Sequence, residues 1–190
     1  MAFAVEVMLL TLSCMHQRTK KFADSMQDYS NLGGNMIEQA VVFVKPDGVQ
    51  RGLVGEVVSR FERKGLKLVG MKMMTLTDEI LDDWYAHHKD KAFFPGLKKF
   101  MMSAPVVAML WEGVDCVESV RILCGSTNAR KADAGSIRGD LSMGYQMNLI
   151  HASDSEEAAA KERRLVFDDS EVFEYAKDVE VYIYSQDDLG

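Results

Sequence analysis

His151 ends the short apolar run Asn148-Leu149-Ile150, and Glu162 follows it at about three helical turns. A carboxylate on the inward face of such a helix could reach back to the imidazole and fix its tautomer. A neutral imidazole nitrogen is a good nucleophile near neutral pH, and a phosphoramidate formed on it keeps a high transfer potential. Taken alone, a histidine so placed is more often a structural one with its hydrogen bonds satisfied. The cations beside it in the sequence decide what more it can do. Lys45 closes a β-branched run, Arg121 lies in a helical pattern and Arg138 sits in Ile137-Arg138-Gly139-Asp140. Each by itself reads as a solvated surface charge, but together they could converge on one cleft, where arginine forks suit phosphate oxygens. Thr127 and Asn148 would add neutral hydrogen bonds. Phe93-Phe94 and Tyr85 offer a stacking surface for a base, although such aromatics more commonly belong to a core. Neither GxxxxGK[ST] nor GxGxxG occurs, so a nucleotide would have to be held another way. His87-His88 lacks a third ligand at metal spacing and reads as solvated, and Met71, Met73, Met74, Met101 and Met102 read as packing.

A scaffold for these groups must come from 190 residues, 47% hydrophobic and 27% charged, which suits one core. The net charge of −7 opposes capture by nucleic acid or an anionic membrane, since both need a basic surface. Cys14, Cys116 and Cys124 form no CxxC pair and are odd in number, which argues against a disulfide framework or a zinc ribbon and fits a reducing, cytoplasmic setting. Met1 to Leu12 is apolar, yet it carries Glu6, has no basic start and is too short to span a bilayer. Ser30 to Asn35 reads as a polar linker. Residues 1–35 are therefore expected to be a flexible extension, and residues 36–190 the domain.

Ala40 to Val44 reads as a strand that stops at the turn Lys45-Pro46-Asp47-Gly48. Leu53, Val54, Val57, Val58 and Phe61 recur at helical spacing up to Gly65. A second strand is expected in Leu66 to Leu76, a helix capped by Thr77, a short helix over Leu97 to Met102 and a buried strand over Pro105 to Trp111. Val114 to Leu123 is helical and ends at Gly125. Ser126 to Met147 has no clear period, and a polar stretch of that length inside a domain is usually functional. A short strand then reaches His151, Ser153-Asp154 is the expected cap of an Ala- and Glu-rich helix, and Val179 to Tyr184 reads as a late strand or packed tail.

Taken together, these segments resemble the nucleoside diphosphate kinase family from about Gln39 to Phe167. The resemblance is carried by Val44-Lys45-Pro46-Asp47-Gly48 through Gly55, Arg60 to Gly65, Phe93-Phe94-Pro95-Gly96-Leu97 and Ala108 to Gly113. Ile137-Arg138-Gly139-Asp140 and Asn148-Leu149-Ile150-His151-Ala152-Ser153-Asp154 are its decisive pieces. It implies an α+β, ferredoxin-like sandwich with a four-stranded antiparallel sheet and helices on one face, assembled as hexamers or tetramers. It also implies a ping-pong transfer of the γ-phosphate of ATP to a nucleoside diphosphate through phosphorylated His151, with Glu162 and Ser153 holding and polarising the ring. By the same resemblance Lys45 and Asn148 contact the sugar and nearby phosphate, and Arg121, Thr127 and Arg138 the phosphates. Phe93 stacks on the base, Tyr85 supports the site, and magnesium is held through the phosphates with no direct protein ligand. The chain departs from the family pattern at Ala152 for a glycine, at Ala129 and Ala134 for loop prolines, and at Tyr145-Gln146-Met147. These changes bear on backbone freedom and stability before chemistry. A non-catalytic nucleotide binder, a nucleic-acid module and a protein phosphorelay are the rival readings, and the retained charged residues and acidic balance weigh against the first two.

Overall fold

Ala40-Val41-Val42-Phe43-Val44 is apolar at every position because the strand it forms is covered on both faces. The computed structural model describes residues 37–185, 187 and 188. The expected extension, residues 1–35, and Cys14 lie outside them. In chain order come β1 (Ile37–Val44), α1 (Pro46–Gln50), α2 (Val54–Lys64), β2 (Lys67–Met74), α3 (Asp78–Trp84) and α4 (Phe94–Met101). Then follow β3 (Val106–Val114), α5 (Cys116–Cys124), α6 (Ile137–Leu141), β4 (Ile150–Ala152) and α7 (Glu156–Val166).

The four strands form one antiparallel sheet in the order β2-β3-β1-β4. Each half, β1-α2-β2 and β3-α5-β4, leaves room for a strand of the other, which is the interleaved ferredoxin-like arrangement. Alternation along β1 sends Ala40, Val42 and Val44 to one face, where Val57 and Phe61 of α2 and Val117 and Val120 of α5 cover them. Val41 and Phe43 face the other way and pack with Trp84 of α3 and with Val166 and Phe167 at the end of α7. Helices thus cover both faces, where the resemblance implied one.

Thr77 caps α3 as expected, accepting from the Ile80 N–H. The cap of α7 is Ser155, which accepts from the Ala158 N–H at 3.1 Å, and not Ser153-Asp154. Ser153 is fully buried and its hydroxyl is engaged elsewhere. The turn expected at Lys45 to Gly48 opens α1, with Pro46 supplying a preset φ in the first helical turn. Ser126 to Met147 holds a 3-10 turn, Ala129–Lys131, and α6, whose cap Ser136 accepts from Gly139. Val179 to Tyr184 is no strand: Glu180–Tyr182 forms a 3-10 turn, and Ile183 lies against Gly65. Met101 is core, but Met71 and Met73 on the edge strand β2, and Met102, are exposed. Ala152 lies in β4 opposite Val42 without a positive φ, so the missing glycine imposes no strain there.

The register Phe43↔His151 and Val44↔Ile150 brings the start of α1 against the approach to β4. Lys45 N donates to Leu149 O at 2.8 Å, and Leu149 N donates to Asp47 Oδ2 at 3.0 Å. Leu149 is fully buried and takes a left-handed φ of 70°, a conformation the surrounding contacts must hold. A Cβ on Gly48 would stand 2.6 Å from Val44 Cγ1 and 3.1 Å from Leu149 O, so the close approach requires glycine. Asp47→Ala leaves the Leu149 N–H unpaired. It should lower stability by about 1–3 kcal/mol, read as a reduced urea midpoint with an unchanged slope.

Candidate active site

At the Lys45 end of the sheet, a cleft of about 870 Å³ opens between the α3–α4 segment, the loop before β4 and α7. His151, Glu162, Lys45, Tyr85, Phe93, Arg121, Thr127, Arg138 and Asn148 all line it. Ser153 does not; it lies behind Glu162. The strand β4 supplies His151, the first turn after β1 supplies Lys45, and α7 turns the buried Glu162 toward His151.

His151 Nε2 and Glu162 Oε1 are 2.9 Å apart, and the other carboxylate oxygen accepts from Ser153 Oγ at 2.6 Å. Ser153 is locked to β1 in turn, its Oγ accepting from the Val41 N–H at 3.0 Å. The imidazole is also boxed by rings: Phe43 at 5.6 Å and, edge-on, Trp84 at 5.3 Å and Tyr85 at 6.5 Å between centroids. Burial, with a smaller contribution from Glu162, pushes the Tyr85 phenol well above its ordinary range, so it stays protonated.

The cations are held in two ways. Lys45 is 8% exposed and donates to Asn148 Oδ1 at 2.7 Å, while Asn148 Nδ2 donates to the Thr127 carbonyl at 2.8 Å. Arg138 is buried too, its two terminal nitrogens donating to Gly125 O at 2.6 Å and Ile150 O at 2.7 Å, and its Nε has no partner. Both guanidinium bonds go to neutral carbonyls, so its charge is uncompensated. Burial and then Arg138 lower the Lys45 amine to about 8. Arg121 and Thr127 are exposed at the wall of the same cleft.

Some contributions were not read from the sequence. Asp47 sets the path into Asn148, Trp84 braces His151, and His88 lines the cleft, 5.3 Å from the Phe93 ring between centroids, where the sequence pattern suggested a solvated residue. The polar, aperiodic loop was the signal for Tyr145 and Gln146, which also line the wall. Trp84 gave no such signal, because an aromatic at helical spacing looks like core and here is both.

A family model for nucleoside diphosphate kinase matches residues 38–172. The chain belongs to the nucleoside diphosphate kinase family. The nucleoside diphosphate kinase of Parabacteroides distasonis is 51% identical over 153 residues, 80% of this chain and 100% of that protein. That of Carboxydothermus hydrogenoformans is 48% identical over 78% of this chain and 99% of its own length. Among solved structures, a halophilic nucleoside diphosphate kinase from Halobacterium salinarum in complex with CDP has a TM-score of 0.76 and 48% identity, covering 78% of this chain and 99% of that one. A family protein from Babesia bovis has a TM-score of 0.75 and 42% identity, covering 77% and 99%. Nucleoside diphosphate kinases transfer a phosphoryl group from a nucleoside triphosphate to a nucleoside diphosphate, and this chain is such an enzyme.

Lys45 yields a test of the cleft's electrostatics. Its amine stands at about 8 in the folded protein against an ordinary 10.5, so the unfolded chain holds the proton more tightly. The empty protein therefore gains stability as pH rises between those values, and an anion bound beside the amine drives it back toward its ordinary value. Binding of ADP should take up about half a proton at pH 8 and approach one near pH 9. Calorimetry in buffers of different ionisation enthalpy measures this, and binding without uptake would show that the phosphates lie elsewhere.

Proposed function

We propose that His151 carries the phosphate between the two nucleotides and that Nδ1 is the ring nitrogen that takes it. The observation behind this is the chain Ser153–Glu162–His151, which occupies Nε2 and leaves Nδ1 as the nucleophile at the cleft. The Nδ1 lone pair attacks the γ-phosphorus as the bond to the bridging oxygen of the leaving diphosphate breaks. The ring becomes cationic, and the carboxylate of Glu162, hydrogen-bonded to Nε2–H, stabilises that charge. An incoming nucleoside diphosphate then attacks the phosphorus through a terminal oxygen, and the neutral imidazole returns.

Glu162 and Ser153 act as positioning residues in this reading. Arg138, Arg121 and Thr127 would bind the phosphates, and Lys45, held by Asn148, would with it contact the sugar and the nearby phosphate. Tyr85, uncharged and lining the cleft, would support the ring. Phe93, 53% exposed, would stack on the base, which explains tolerance of base identity because every base has a π-face. ATP would be the chief donor, and the outcome the maintenance of nucleoside and deoxynucleoside triphosphate pools.

A divalent cation, magnesium in this reading, would enter on the phosphates. Glu162 is committed to His151 and Ser153, whereas Asp154 is exposed in the cleft lining and could hold water of such an ion's hydration shell. The ion would neutralise charge on the phosphate oxygens. The domain would span residues 36–190, with 1–35 an extension. The exposed Met71 and Met73 on the edge strand support a homo-oligomer, a hexamer or tetramer. Among the described residues no helix is long and apolar enough to cross a membrane, and a cytoplasmic setting without nucleic-acid partners fits the acidic composition.

Mixing the protein with γ-labelled ATP should give an acid-labile, alkali-stable protein label that chases onto GDP. His151→Ala should lose it, and Ser153→Ala should slow its formation by roughly tenfold, the scale of losing one orienting hydrogen bond. Nucleotide binding with no label, or label retained in His151→Ala, contradicts the relay. Phosphorus–nitrogen coupling in the labelled protein would assign Nδ1 or Nε2.

A further inference from the structure

Tyr145-Gln146-Met147 departs from the family pattern and takes no part in the reading above, yet the loop that carries it, Ser142 to Met147, is firmly built. Ser142 Oγ donates to Met147 O at 3.0 Å and accepts from Gly144 N at 3.4 Å. Gly144 O accepts from Ala129 N at 3.2 Å, a bond that a proline at residue 129 could not donate. A Cβ on Gly144 would stand 2.2 Å from Met147 O, so the chain closes on itself there. From this closed loop Tyr145, 64% exposed, and Gln146, also exposed, both line the cleft. Neither makes a hydrogen bond, ion pair or ring contact with the other described residues.

An anchored loop that presents two idle side chains to a binding cleft is organised for a ligand. Of the groups proposed to meet the phosphates, Lys45 and Arg138 are buried, Lys45 next in the chain to β1 and Arg138 linked to β4, while Arg121 and Thr127 stand at the wall. Phe93 and Tyr145 are the exposed aromatics of the lining and come from different elements, so the outer cleft is where a base would lie. A glutamine amide carries an acceptor oxygen and a donor nitrogen side by side and can exchange them by rotation. On the Watson–Crick edge every base presents an adjacent donor and acceptor, in an order that differs between amino and keto bases.

We propose that Gln146 contacts the base edge, its rotatable amide adapting to each base, with Tyr145 as a wall of the same subsite. This rests on the nucleotide placement given under the proposed function. The amide grips the base yet does not select among bases, so a fixed charge at the same position should create selection. Guanine offers two neighbouring donors, which a carboxylate accepts; adenine offers a donor beside a lone pair, which a carboxylate repels.

The test is kcat/KM for ADP, GDP, CDP and UDP as acceptors, for the full chain, Gln146→Leu and Gln146→Glu. Gln146→Leu should lower all four by roughly threefold to tenfold, with their ratios kept within about twofold, as expected for loss of one exposed hydrogen-bonding group. Gln146→Glu should raise the GDP-to-ADP ratio roughly tenfold, since its added repulsion of phosphates acts on both and cancels. An unchanged ratio in Gln146→Glu, or values for Gln146→Leu equal to the parent's, overturns the proposal. If the parent chain forms no phosphohistidine, the relay itself has failed, which is a different result.

Discussion

Pairing of β1 with β4 is the constraint on which the site depends. Because Phe43 lies opposite His151 and Val44 opposite Ile150, the residues just beyond these strands, Lys45 on one side and Asn148 and Leu149 on the other, must meet. A shift of one residue would turn His151 to the opposite face and separate it from Glu162. The register is defended from both ends. Ser153 clips one end of β4 to Val41, and Asp47 holds the other through the strained Leu149. The same hydroxyl that fixes the strand also orients Glu162 toward His151, so fold specificity and the setting of the histidine share one side chain.

Charge distribution is the second theme. A protein of net charge −7 has placed Lys45 and Arg138 together in a desolvated wall, with neutral carbonyl and amide oxygens for partners. Burial first, and then the neighbouring Arg138, lower the Lys45 amine from its ordinary value. Phosphoryl transfer needs preorganised positive charge more than covalent help, and if phosphate binds here as proposed, this arrangement would trade some stability for that complementarity.

Much of this was legible beforehand where local signals were strong. The apolar run of β1, the spacing of α2, Thr77 before α3 and the Gly65 and Gly125 stops all appear where the pattern put them. The residues that line the cleft were gathered beforehand through ordered motifs, since nothing in spacing alone could show that Lys45, Arg138 and His151 share it. The failures are physical ones. Ser153 looked like a cap because caps are serines, but a buried carboxylate claimed its hydroxyl and Ser155 took the role. Of the two readings of Val179 to Tyr184, the late strand fails and the packed tail holds in part: Glu180–Tyr182 turns as a 3-10 helix and Ile183 lies against Gly65. Methionines on an edge strand look like core until the cover is known to be missing.

The two ends of the cleft are built differently. At the inner end the buried side chains are anchored: Lys45 to Asn148, Arg138 to two carbonyls, His151 to Glu162. Donor and acceptor nucleotides both carry phosphates, so if these bind at the inner end as proposed, rigidity there would serve both. Their bases need not match, and the outer end accordingly presents an aromatic face and side chains that bond to nothing else described. A site equally rigid throughout would bind one nucleotide well and hinder the second half-reaction with another. Gly144, closed tightly on Met147, keeps the backbone of that outer wall in place while leaving its side chains free to turn.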